Sequence, residues 1–169
     1  MAEIKYNVHV ATYLVNAIVI MSAIGFAIST YSFLHYSAFT SGAVCNLSDT
    51  FSCDVVNRGP FASIGGIPVS VIGMAGYAFL FVTALLRRKH PEEKPLGAIM
   101  ILATTVGFLF SLYLTFIEAF VLQAYCILCL TSFFIMLLIM IVSFWLHSEN
   151  ERQGFLTAHI HPPQPPRVV

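Results

Sequence analysis

Four long stretches almost free of charge constrain this chain most: Val10 to Leu34, Ile67 to Leu86, Leu96 to Leu122 and Ile127 to His147. Each runs about 20 residues or more, enough at about 1.5 Å rise per residue to cross a bilayer core of about 30 Å. Their only formally charged residue is Glu118. A soluble helix keeps one polar face at a 3.6-residue period, whereas FFIMLLIMIVSFW and IMILATTVGFLF are apolar all round. Composition agrees, with 58% apolar and 9% charged residues against about a quarter charged in soluble domains. Disorder is excluded and a soluble enzyme disfavoured. Zero net charge without a basic stripe argues against a nucleic-acid partner. The expectation is all-α: an integral membrane four-helix bundle over 1–147, with a long extracytoplasmic loop between helices 1 and 2. The Pro-rich segment 148–169 reads as a disordered cytoplasmic tail.

The first apolar run is too long for a signal-peptide core and lacks a small-x-small site after it, so it is expected to stay as a span. Lys and Arg near span ends are retained on the cytoplasmic side. Lys5, Arg87, Arg88, Lys89, Lys94, Arg152 and Arg167 fall on one side and only Arg58 on the other. Both termini are therefore expected in the cytoplasm of a multi-pass protein. The His35 to Gly66 loop and the short Gln123 to Cys126 turn then face outward, to the periplasm in a bacterial inner membrane. Phe39, Val44, Phe51, Val55, Val56, Phe61 and Ile64 suit the loop to fold onto the bundle mouth. Gly65, Gly66 and Pro68 close it, with Pro68 expected in the first turn of span two. Ser70, Gly73 and Gly76 give that span a small-residue face for close helix packing.

All four cysteines fall on the expected outer side. Cys45 and Cys53 lie in the long loop, and Cys126 and Cys129 form CxxC where span four begins. Disulfides persist in oxidising compartments, so this shared side favours redox chemistry over four buried small hydrophobes. Residues i and i+3 share a helix face, and a helix N-terminus stabilises a thiolate. Two pairs form an electron relay by thiol–disulfide exchange. A non-enzymatic protein that binds metal through its four cysteines, or serves as a membrane scaffold, is the alternative, although the seven residues between Cys45 and Cys53 make a poor half of a zinc site.

A relay in a membrane needs an acceptor, and a lipid-soluble quinone entering the apolar bundle sideways is the natural one. Phe133 and Phe134, one turn beyond Cys129, are candidates to line its pocket. Glu118 lies roughly 33 Å along span three from Leu96 by helix rise, near the outer boundary. An ionisable residue there is a functional candidate, a proton carrier or a boundary carboxylate that snorkels to water.

The C-x7-C followed by DVVN, then FASIGGIPVSVIGMAGY and YLTFIEAFVLQAYCILC, resembles the bacterial vitamin K epoxide reductase homologues over roughly Val10 to Trp145. The resemblance implies a four-helix bundle around a quinone and a membrane thiol-disulfide oxidoreductase supporting disulfide-bond formation. It implies that Cys129 sits against the quinone, that Cys126 exchanges with Cys53, and that Cys45 takes electrons from a DsbA-like thioredoxin-fold protein. Ubiquinone or menaquinone is the implied acceptor. Many members carry the thioredoxin domain fused; none follows here, so a separate partner is expected. Gly59 replaces the Ser or Thr common in the family. Val69 and Phe133 stand where vertebrate enzymes use Asn and Tyr to hydrogen-bond the quinone, so vitamin K epoxide reduction is not expected to transfer. Asn57 and Ser70 are the candidate replacement donors.

Overall fold

The computed structural model describes residues 2–39, 52–90 and 94–160. Four long helices carry it: α1 (Ala2–Tyr36), α3 (Val69–Lys89), α4 (Lys94–Ile117) and α5 (Ile127–Ile160). Between α1 and α3 lie a one-turn helix α2 (Cys53–Asn57) and a small hairpin of β1 (Ser63–Ile64) and β2 (Ile67–Pro68). A π-helical turn, Glu118–Leu122, extends α4. The segments long and apolar enough to cross a membrane are Val10–Tyr36, Val69–Lys89, Pro95–Leu122 and Ile127–Glu149. The chain is an all-α multi-pass membrane bundle, as its charge pattern indicates.

Its packing has the polarity a bilayer demands. Ile20, Leu102, Val106, Phe134 and Phe144 point outward, whereas Ser22, Ser29, Ser32, Thr104 and Ser143 are buried. Lipid tails are as apolar as leucine, so helices associate through close packing of small residues. Ser22, Gly25, Ser29 and Ser32 recur along α1 at steps of three and four, the period of one helix face. Gly25 lies under the Tyr77 ring of α3, where a Cβ would collide with it. A Cβ on Gly73 would come within 2.9 Å of the Ser29 hydroxyl oxygen. The small-residue face of α3 therefore serves two ends: Gly73 meets α1, and Ser70, Gly73 and Gly76 line a cavity. Val15, Ile18, Leu80, Ala84, Met100, Ile139 and Leu146 pack the rest of the interior.

Two expectations change. Helix α5 continues to Ile160, well into the segment read as a disordered tail. Nothing in Ser148 to Ile160 interrupts the backbone hydrogen bonds as proline does, and the first proline is Pro162. The prolines themselves lie outside the described residues. Pro68 precedes α3 rather than sitting in its first turn. It pairs with Ser63 in the hairpin, and its ψ of 134° is extended. Gly65 and Gly66, at φ 60° and 84°, form the two-residue turn that positive φ at both positions requires. Val69 N–H then donates to Ala62 O at 2.9 Å, seating the hairpin on the start of α3.

Candidate functional site

One backbone hydrogen bond aligns the two cysteine segments. Ser52 N–H donates to Tyr125 O at 3.1 Å, so the residues that follow, Cys53 and Cys126, stand side by side. Their sulfurs are 3.0 Å apart and both residues are fully buried. Cys53 opens α2 and is disulfide-bonded, whereas Cys126 and Cys129 are free thiols. A free thiol thus lies against a disulfide sulfur, the arrangement thiol–disulfide exchange requires. Cys45, the remaining expected site cysteine, falls outside the described residues.

The Cys126 carbonyl accepts the Leu130 N–H at 3.0 Å, which makes Cys126 the N-cap of α5 and places its sulfur at a helix N-terminus. A hydrogen bond from Cys129 holds the Cys126 thiol below the ordinary thiol range, outweighing the opposing effect of burial. The Asn57 side-chain amide also points at this sulfur, with Nδ2 at 3.9 Å. Of the CxxC pair, Cys126 is therefore the cysteine whose surroundings favour the thiolate.

Helix α2 is too short to hold itself in place. His35, buried at the end of α1, brings Nε2 to 3.3 Å from Asp54 Oδ1. Arg58 Nη1 lies 3.6 Å from the same oxygen, and the guanidinium donates to the His35 carbonyl at 3.2 Å. Ser32 donates to Asn57 Oδ1 at 3.0 Å. Gly59 completes the fit: a Cβ there would overlap the Val55 carbonyl oxygen, so the Ser or Thr of the resemblance has no room. Sequence reasoning reached Asn57 but not Ser32, His35, Asp54 or Arg58. The available signal was the i,i+4 spacing of Asp54 and Arg58 beside Cys53.

Glu118 is buried at 2% exposure, so the boundary carboxylate does not reach water. The π-helical turn swings it toward the CxxC, and Gln123 ends that turn in the left-handed region at φ 50°. Glu118 Oε2 accepts the Cys126 backbone N–H at 3.0 Å, and the carboxylate also interacts with the Cys129 thiol. Oε1 is buried with no N–H or O–H donor on it among the described residues.

Cys129 forms part of the wall of a cavity of about 540 Å³ bounded by α1, α3, α4 and α5, within the range of small-molecule sites. Near Cys129 the wall carries Asn57 and Ser70. Deeper in, Tyr77 bridges α3 to α5, its hydroxyl 2.9 Å from Ser132 O and 2.8 Å from Ser132 Oγ. Phe79, Ile99, Leu102 and Val106 line the cavity and are also exposed, so it opens on the lipid-facing surface between α3 and α4. A smaller pocket of about 30 Å³ adjoins it, sharing Asn57, Ser70 and Cys129 and adding Glu118. Phe133 is not brought to either pocket: its ring packs against Phe108 and Phe134, each at 5.6 Å between centroids. One turn past Cys129 the helix has rotated that side chain toward α4, and Ser132 and Met136 take the cavity face.

In comparison with known proteins, the profile of the vitamin K epoxide reductase family matches residues 16–144, which include every element of this site. No curated protein matches the chain.

Proposed function

The chain belongs to the vitamin K epoxide reductase family, a family of membrane redox enzymes. From that premise we propose that it is a thiol-disulfide oxidoreductase that oxidises a periplasmic, DsbA-like thioredoxin-fold partner and passes the electrons to a membrane quinone. The single observation that carries this reading is the 3.0 Å approach of Cys126 to the disulfide-bonded Cys53, with Cys129 on the far side of Cys126 lining the cavity.

The relay runs in balanced exchanges. A partner dithiol reduces the Cys45–Cys53 disulfide and leaves as a disulfide. The Cys53 thiolate attacks Cys126 of an oxidised CxxC, forming a Cys53–Cys126 bond and releasing Cys129 toward the cavity, where it takes up the proton Cys53 gave up and becomes a thiol. Cys45 then attacks Cys53, which restores the loop disulfide and frees Cys126. Disulfide-bonded Cys53 with free Cys126 and Cys129 matches the state in which electrons have reached the inner pair.

The cavity fits a lipid-soluble quinone in chemistry and shape. Asn57 and Ser70 can donate hydrogen bonds to a ring carbonyl beside Cys129, and the apolar mouth between α3 and α4 suits an isoprenoid tail. When bound, the quinone supplies the two-electron acceptor. Lys and Arg placement supports both termini in the cytoplasm and the cysteines on the periplasmic face of the inner membrane.

Trapping tests the reading. A Cys129→Ala variant cannot close the inner disulfide, so its Cys126 thiolate, attacking the disulfide-bonded Cys53, should accumulate the Cys53–Cys126 bond, and quinone reduction should be lost. Full quinone reduction by that variant overturns the relay.

A further inference from the structure

A two-electron transfer from a dithiol to a quinone also moves two protons, and Cys129 sits where water does not reach freely. From the geometry around Glu118 we infer that this residue is the catalytic base that takes the Cys129 proton and returns it to the cavity. The inference rests on the oxidoreductase reading above.

Three independent features place the carboxylate for this task. First, the chain leaves α-helical geometry at this residue: the π-helical turn Glu118–Leu122 begins on it, and such turns cluster at functional sites. Second, its two oxygens have different surroundings. Oε2 is fixed by the Cys126 N–H at 3.0 Å. Oε1 is buried without an N–H or O–H donor among the described residues, and the Cys129 thiol is a further polar neighbour of the carboxylate. A merely structural carboxylate in so dry a position would be expected to satisfy both oxygens. Third, the adjoining pocket of about 30 Å³ touches Glu118, Cys129, Asn57 and Ser70. That is room for one water with several polar partners, enough to link Glu118 to the larger cavity.

The step balances. The Cys129 S–H bond breaks and its proton goes to Glu118. The Cys126–Cys129 bond forms as two electrons leave to the quinone. The proton from Glu118 and one from Cys126 go to the quinone oxygens, so the substrate leaves as quinol and the carboxylate is regenerated at each turnover.

The test begins without quinone. In the reduced protein, alkylation of Cys129 by a small maleimide, followed by mass spectrometry, reports how readily that thiol gives up its proton. Glu118→Gln keeps an oxygen to accept the Cys126 N–H, and Cys129 alkylation should slow about 100-fold, the lower end of what a positioned base contributes. Single-turnover quinone reduction should fall in parallel. A carboxylate acting only as a fixed charge or prop predicts the opposite, because removing a negative neighbour favours a thiolate. Unchanged or faster alkylation of Cys129 in Glu118→Gln overturns the inference. Should that variant fail to assemble, Glu118→Asp, which keeps a carboxylate, should recover most of the rate, and acetate should rescue Glu118→Ala; failure of both overturns it equally. Cys129→Ala separates the two readings: loss of quinone reduction there upholds the relay whatever Glu118→Gln does.

Discussion

Gly59→Ser introduces a residue type that the family commonly carries at this position, yet here it should damage the enzyme. Gly59 closes on the Val55 carbonyl oxygen so tightly that a Cβ would overlap it, and Val55 lies in the same helical turn as Cys53. Restoring an ordinary contact means moving α2 by about 1 Å, the scale of misplacement that costs about 100-fold in a positioned reaction. Cys53 reacts from a starting separation of 3.0 Å, so it has no slack to absorb the shift. Overpacking itself costs about 1–3 kcal/mol, which leaves the bundle assembled because α2 contributes little to its core. The assay is formation of the Cys53–Cys126 disulfide in a Cys129→Ala background, quenched with a thiol reagent and read as a gel shift. The rate should fall about 100-fold with the helical content unchanged. A wild-type rate would refute the claim that the Gly59 contact sets the position of Cys53.

Other outcomes follow from the same geometry. Asp54→Asn weakens the links to buried His35 and to Arg58, the latter a half-exposed pair worth about 0.2–1 kcal/mol, and should slow the same exchange by up to roughly fivefold; an unchanged rate contradicts the clamp. The pH profile of Cys126 alkylation should have its midpoint below the ordinary thiol range, because the Cys129 hydrogen bond favours the thiolate. Cys129→Ala removes that donor and should move the midpoint to higher pH, and a midpoint that stays put or falls counts against the bond. Tyr77→Phe loses the hydroxyl that meets Ser132 and should destabilise the bundle by about 0.5–1.5 kcal/mol, measured by denaturant titration in detergent. Leu102→Trp narrows the mouth between α3 and α4 and should raise the KM for quinone; an unchanged KM places the access route elsewhere.

Charge exclusion alone located the four spans, because a bilayer admits so few ionised groups that their absence marks the helices directly. The CxxC was equally legible, since its two members are three residues apart on one helix. What stayed hidden depends on contacts between distant segments. The Cys53–Cys126 approach is set by the Ser52–Tyr125 hydrogen bond, which has no sequence signature and could be expected only through family resemblance. The clamp of His35, Asp54 and Arg58 joins residues that polarity alone would assign to a solvated loop. Phe133 was misplaced because proximity in sequence does not give the rotation of a helix: Ser132 and Met136 face the cavity instead. Glu118 was found from its charge, but the π-helical turn that aims it at the cysteines has no compositional mark.

The central claim is that two cysteine pairs act in series on one quinone, and electron counting tests it most directly. Fully reduced protein, freed of reductant and mixed anaerobically with excess quinone, should reduce two quinones per chain, one for each dithiol. Cys53→Ala, which leaves only the inner pair able to form a disulfide, should reduce one. A single quinone reduced per wild-type chain, or two per Cys53→Ala chain, would contradict the account.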